Sequence, residues 1–254
     1  MPFLTLADGA QLYYDDIGAG PPMLLLHAGW GRYVDWFYAQ LEAFADHRLL
    51  VPDRRGYGRS TPVDYLPVDY HRHSAYDMLA LLDSLSVDSA ILWGHSDGAV
   101  VAAWIALVQS DRVRALILEG THLWRRKPRS VEAFQAGIED PEGFLAQRAV
   151  QRLGEGHGAR WRQVVANWGQ AWLSLYRLEG DLYDGRLSEI WVPTLVLHGA
   201  GDPHTDLAEI QALTAQIPGA RLHLFPKAGH SPHSERGSRD ACNQVVREFL
   251  QKIA

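Results

Sequence analysis

A chain of 254 residues is long enough for one large apolar core with room for an insertion. Apolar residues make up 47% and charged residues 21%, an ordinary globular composition that excludes a disordered or fibrous chain. Lys and Arg total 24 against 30 Asp and Glu, and the net charge of −6 argues against nucleic acid as a partner, since phosphate binding needs a concentrated basic face.

The chain opens Met1-Pro2-Phe3-Leu4, with no basic start leading into an apolar stretch, so no secretory signal is expected and the cytoplasm is the expected location. Leu12-Tyr13-Tyr14 reads as a strand, and Pro22 to His27 as a fully buried one. Asp35 to Ala45 has helical spacing through Trp36, Phe37, Leu41 and Phe44. Leu49-Leu50-Val51 is a further buried strand, ended by the turn Pro52-Asp53-Arg54-Arg55-Gly56. Ser74 with Asp77 three residues on has the pattern of a capping box, predicting a helix start with Met78, Leu81, Leu82 and Leu85 on one face. Ala90 to Trp93 is a strand, Ala99 to Val108 a helix too short to span a bilayer, and Ala115 to Leu118 a strand.

After Glu119-Gly120 the rhythm breaks. From 121 to 188 no buried strand is visible, only helix-like segments. The basic run Arg125-Arg126-Lys127, with Arg129, reads as a solvated loop. Trp161, Val165, Trp168 and Trp172 fall on one side of a helix, either as the underside of a lid or as the wall of a pocket. Strands resume at Thr194 to His198 and at Arg221 to Phe225, and Val245 to Ile253 closes the chain as a helix. The alternation predicts an α/β fold: a mostly parallel sheet flanked by helices, formed by 1–120 and 189–254, with 121–188 as a helical lid insertion.

Gly94-His95-Ser96-Asp97-Gly98 matches Gly-x-Ser-x-Gly, a pattern whose weight depends on context. Here an apolar strand leads in and a helix leads out. That arrangement lifts a serine onto a tight bend above a sheet and offers helix N-terminal N–H groups to a developing oxyanion. Ser96 is therefore the expected nucleophile of an acyl-transfer enzyme. A serine hydroxyl needs a base, and the base needs a carboxylate to orient it. Asp202 sits in a Gly-rich turn after one late strand, and His230 follows the next. Glu119, Asp206 and His233 compete for these roles, although Asp206 suits a helix cap. His27, His95 and His198 read as structural groups. The lone Cys242 rules out an intrachain disulfide, and no histidine has metal-ligand spacing, so neither a metal nor a cofactor is expected. The second oxyanion donor is expected from His27-Ala28-Gly29-Trp30: Gly29 N–H first, with Ala28 or Trp30 one residue away.

Taken together, His27-Ala28-Gly29-Trp30, the run Asp53 to Ser60, the Ser96 elbow, Asp202 and His230 resemble the α/β-hydrolase superfamily over essentially the whole chain. Arg55-Gly56-Tyr57-Gly58, Ser96-Asp97-Gly98 and Ala220 to Pro226 look most like the valacyclovir-hydrolase (biphenyl-hydrolase-like) group and small bacterial esterases. His27-Ala28-Gly29 and Gly98-Ala99 depart from the usual strings of that group. The resemblance implies a carboxylic ester hydrolase without cofactor, acting on a small-molecule ester, α-amino-acid esters included. It also implies Asp97 as the group that holds a substrate amine, unless Asp97 is paired with Arg125 or another lid residue. Trp30, Trp124, Trp168 and Trp172 are the expected pocket walls. Carbon–carbon bond hydrolases, lactonases, thioesterases, amidases and perhydrolases are rivals on the same triad; a ligand-binding receptor on the same scaffold is the rival outside catalysis.

Overall fold

The computed structural model describes residues 3–31 and 33–253, with the backbone alone for 33–36, so Met1, Pro2 and the Trp36 side chain lie outside the described residues. In chain order the elements are β1 (Phe3–Thr5), β2 (Gln11–Ile17), β3 (Pro22–Leu26), α1 (Tyr33–Ala43), β4 (Arg48–Pro52), α2 (Tyr70–Ser84) and β5 (Ala90–His95). There follow α3 (Asp97–Val108), β6 (Val113–Glu119), α4 (Val131–Glu139), α5 (Pro141–Phe144), α6 (Gln147–His157) and α7 (Trp161–Tyr176). The chain ends with β7 (Thr194–Gly199), α8 (Leu207–Gln216), β8 (Arg221–Phe225) and α9 (Arg239–Gln251).

The eight strands form one sheet in the order β1-β2-β4-β3-β5-β6-β7-β8. β1 and β2 are antiparallel to their neighbours, and the remaining pairings are parallel. Because side chains alternate along a strand, each central strand feeds two cores. Leu24, Leu92, Leu116 and Val196 face the helices α2, α3 and α8. Met23, Leu25, Trp93, Ile117 and Leu197 face Phe37 and Phe44 on one side and Val246 and Phe249 of α9. This is the two-sided burial expected from uninterrupted apolar strands.

Two local readings differ from the structure. The antiparallel edge strand β1 was not among the expected strands; three residues with half-exposed side chains carry little period-2 signal. The helix expected at Ser74 begins a turn earlier, at Tyr70, with Asp69 at its cap position. Tertiary contacts recruit that turn: the Tyr70 hydroxyl donates to Asp97 at 2.8 Å, and Asp77 is taken by Arg55 at 2.9 and 3.0 Å, not by a capping box. The Asp206 side chain does cap α8, accepting the Glu209 N–H at 2.9 Å.

Candidate active site

β5 runs straight into Ser96, and α3 starts at the next residue. Ser96 has φ 55° and ψ −123°, a strained conformation for a residue with a side chain. The bend closes only because its neighbours are small. A β-carbon at Gly94 would fall 2.2 Å from the Gly98 carbonyl oxygen, and one at Gly98 would fall 2.1 Å from that of Leu26. Ser96 is 8% exposed and opens onto a cavity of about 240 Å³.

Two later loops bring His230 to the same cavity and Asp202 behind it. Asp202 Oδ2 accepts a hydrogen bond from His230 Nδ1 at 2.8 Å, and its Oδ1 accepts the N–H groups of His204 (2.7 Å) and Thr205 (3.2 Å). Burial alone would raise the Asp202 pKa. The hydrogen bond and charge of His230 and the His204 N–H outweigh it and hold the carboxyl down at about 2. With Nδ1 committed to Asp202, His230 has Nε2 for the cavity that it and Ser96 both line. The loop fits because residue 120 is glycine: at φ +53° its β-carbon would meet the His230 carbonyl oxygen at 2.7 Å.

The competing pair is built into the core behind the site. Glu119 and His233 are both wholly buried and bond to each other, His233 Nδ1 to Glu119 Oε1, at 2.8 Å. Glu119 also accepts the His233 N–H (2.9 Å) and Trp93 Nε1–H (2.9 Å), so its lone pairs are engaged away from Ser96. His27 donates Nδ1–H to the Ala28 carbonyl at 2.7 Å and accepts the Arg54 N–H at 3.0 Å. His95 Nε2 lies 3.0 Å from the His230 carbonyl oxygen and 3.1 Å from Ser231 Oγ, and burial drives its pKa down to about 3.

Gly29 lines the cavity, and Asp97 heads α3. Among the described residues, neither the Gly29 nor the Asp97 backbone N–H is bonded to a protein acceptor. A β-carbon at 29 would fall 2.3 Å from Trp168 Nε1, so a side chain there would require that indole to move. The buried Arg54 fastens this loop, donating Nη2–H to the carbonyls of His27 (3.2 Å) and Ala28 (2.9 Å).

The Asp97 carboxylate is already engaged within the protein. It is wholly buried and accepts hydrogen bonds from Tyr70 Oη (2.8 Å) and Trp172 Nε1 (3.2 Å), with His71 Nε2 at 3.5 Å. Burial opposes its charge, but His71, Arg54 and Tyr70 keep its pKa below the usual value. Arg125 is not its partner; that guanidinium pairs with Asp184 and donates to the Glu179 carbonyl at 2.8 Å.

Trp30, Trp168 and Trp172 line the cavity as expected. Trp168 and Trp172 are also part of the apolar core, so this face of α7 both packs on the core and walls the cavity. Trp161 packs instead with Leu153 and Val165. Trp124 is corrected: it is 43% exposed and does not line the cavity, its backbone being bridged to Asp181 and its N–H bonded to Glu209 at 3.0 Å. The solvated reading of the basic run is corrected for Lys127, which is 4% exposed, lines the cavity and pairs with Glu209.

Sequence reasoning missed His122. It follows the end of β6, beside the elbow in the sheet, and its position after a strand next to β5 was the available signal. Its Nε2 lies 3.3 Å from Ser96 Oγ, and among the described residues this is the hydrogen bond Ser96 Oγ makes. The His122 and His230 rings stack at 5.8 Å between centroids with 20° between planes, so two imidazoles share the surroundings of the Ser96 hydroxyl. His204 also lines the cavity, its pKa lowered by burial to about 4.

A serine at a strained strand–helix bend, on a mostly parallel sheet capped by helices, with a histidine–carboxylate pair at the same cavity, defines an α/β-fold hydrolase. The chain belongs to the alpha/beta hydrolase family, whose model matches residues 23–244. It is 28% identical over 250 residues to serine hydrolase BPHL of Mus musculus, covering 96% of this chain and 84% of that one. It is also 28% identical to the non-heme chloroperoxidase CPO-A1 of Kitasatospora aureofaciens, covering 99% of this chain and all (100%) of the relative. Among solved structures, an esterase from Thermogutta terrifontis superposes with a TM-score of 0.79 at 26% identity, covering 99% of this chain and 98% of that one.

Proposed function

We propose that the protein hydrolyses carboxylic esters through an acyl-enzyme, with Ser96 as nucleophile, His230 as base and Asp202 as the group that orients it. The observation that carries this reading is the Asp202–His230 hydrogen bond at the cavity into which the strained Ser96 elbow opens. In this reading His230 Nε2 takes the Ser96 proton as Oγ attacks the ester carbon. The unpaired N–H groups of Gly29 and Asp97 receive the oxyanion, and His230 returns the proton to the departing alcohol. Water then repeats the sequence on the acyl-enzyme. Residues 121–188 act as the cap, with Trp30, Trp168 and Trp172 supplying the apolar walls for the ester.

The buried contacts of Asp97 support a different duty from holding a substrate ammonium. Its carboxylate ties α2 and α7 to the residue that carries the oxyanion N–H.

The test is a short-chain p-nitrophenyl ester assay with fluorophosphonate labelling. Ser96→Ala should lower kcat by about 10⁴–10⁶ and abolish labelling. Residual activity within about tenfold of wild type would refute the assignment. Labelling of Ser96 without turnover of any ester would shift the reading to a ligand-binding role on a hydrolase scaffold.

A further inference from the structure

Two imidazoles border one serine hydroxyl, and their outer partners differ in kind. His230 Nδ1 faces a carboxylate, which only accepts, so its proton sits on Nδ1 and Nε2 carries the lone pair of a base. His122 Nδ1 faces the Thr205 hydroxyl at 2.6 Å. That hydroxyl oxygen also lies 3.3 Å from Lys127 Nζ, an ammonium that only donates. Thr205 Oγ1 accepts from Lys127, which leaves its own proton free to go to His122 Nδ1. Glu209 holds the lysine in place and accepts the Leu123 (2.7 Å) and Trp124 (3.0 Å) N–H groups.

We infer that His122 is a positioning residue: its Nε2–H donates to Ser96 Oγ, which leaves the serine's own proton for His230. This inference rests on the hydrolase reading above and adds to it which of the two histidines is the base. The short segment from Asp202 to Thr205 sets both tautomers, Asp202 for His230 and Thr205 for His122. The ring is held by Trp172, edge-on at 5.1 Å, and by the stacked His230. Burial keeps His122 neutral. The charged and titratable groups facing it work in the same direction: Lys127 ahead of α4, His230 after β8, His204 ahead of α8 and His71 on α2.

A donor fixed on Oγ acts unequally on the two halves of the reaction. In acylation it ties up a lone pair of the attacking oxygen. In deacylation water attacks the acyl carbon and gives its proton to His230. The carbon–Oγ bond then breaks with its electron pair going to Oγ, which takes the proton from His230 while His122 stabilises the growing negative charge. No proton leaves His122.

The first test needs no substrate. In the full chain with ¹⁵N-histidine, the two-bond proton–nitrogen correlations of His122 should show the Nε2–H form and stay neutral through the ordinary histidine pKa of about 6.5. Thr205→Val should disturb that pattern. An Nδ1–H form, or titration near the ordinary value, overturns the inference. The second test is the burst of p-nitrophenyl acetate. His122→Gln, whose amide nitrogen can occupy the Nε2 position, should keep deacylation within severalfold of wild type. His122→Asn and His122→Ala should slow deacylation by about tenfold or more, the worth of a hydrogen bond to a group gaining charge, with a smaller effect on the burst rate. Equal loss in all three variants, or loss of the burst in His122→Ala as complete as in Ser96→Ala, overturns it. If wild type turns over no ester, the hydrolase reading falls and the tautomer measurement alone decides the hydrogen bond.

Discussion

Ser96 sits at φ 55° because the fold around it leaves no alternative: Gly94 and Gly98 touch backbone where any β-carbon would collide. The same scale separates the two acid–histidine pairs. Asp202 is bonded to a histidine that lines the cavity and Glu119 to one buried in the core, so their substitutions should fail differently. Asp202→Asn should reduce kcat by about 10⁴ through loss of the His230 tautomer, with little change in stability. Glu119→Ala should instead destabilise by about 3–5 kcal/mol, because it removes the buried acceptor shared by the His233 ring, the His233 N–H and Trp93 Nε1–H. Urea unfolding beside steady-state kinetics measures both, and a catalytic collapse of well-folded Glu119→Ala would return Glu119 to the catalytic role.

At the scale of elements, a histidine at the end of α6 ties the helical insertion to the loops that shape the cavity. His157, at the end of α6, accepts the Gly58 N–H through Nδ1 at 2.8 Å, and its Nε2 donates to the Trp30 carbonyl at 2.9 Å. Arg160 adds a bond to the Gly58 carbonyl at 3.0 Å. Thus the turn after β4, the loop after β3 and α6 meet at a single imidazole. His157→Ala leaves two backbone groups without that partner, and the expected cost is about 1–3 kcal/mol. The loosening should be local: hydrogen exchange should quicken in α6 before the sheet, and KM should rise more than kcat falls. Uniform exchange across sheet and cap would show that α6 has no separate mobility.

For the whole molecule, pH is the informative variable. His27, His71, His95 and His122 are buried and His204 is half-buried, and desolvation is the leading cause of a lowered pKa in each, to about 3 for His95 and about 4 for His204. Below about 6.5 the unfolded chain binds protons that the native protein refuses, so stability falls as pH falls. The loss should begin below about pH 6.5 and continue through about pH 4 and 3 as His204 and His95 are finally protonated. Asp202 adds to the acid end: its pKa of about 2 means that its contribution fades only between the ordinary carboxylate range and pH 2. Thermal unfolding from pH 8 to 5 should show Tm falling with a slope of more than one proton; a flat Tm across that span would contradict this account of the buried histidines.

By itself the sequence determined what depends on local order. Apolar runs alternating with amphipathic stretches specified the layered sheet. The string Gly94 to Gly98 specified the bend, and strand-end loops delivered Asp202 and His230 as candidates, because a strand's register fixes where its last side chain emerges. Tertiary structure decided everything that depends on which distant groups meet. Only packing turned the Asp97 carboxylate to Tyr70 and Trp172, sank Lys127 from a basic run onto Glu209, carried Trp124 outward and placed His122 against Ser96. Spacing along a chain records the period of an element, whereas hydrogen-bond partners and burial are set by elements that are neighbours in space and remote in sequence.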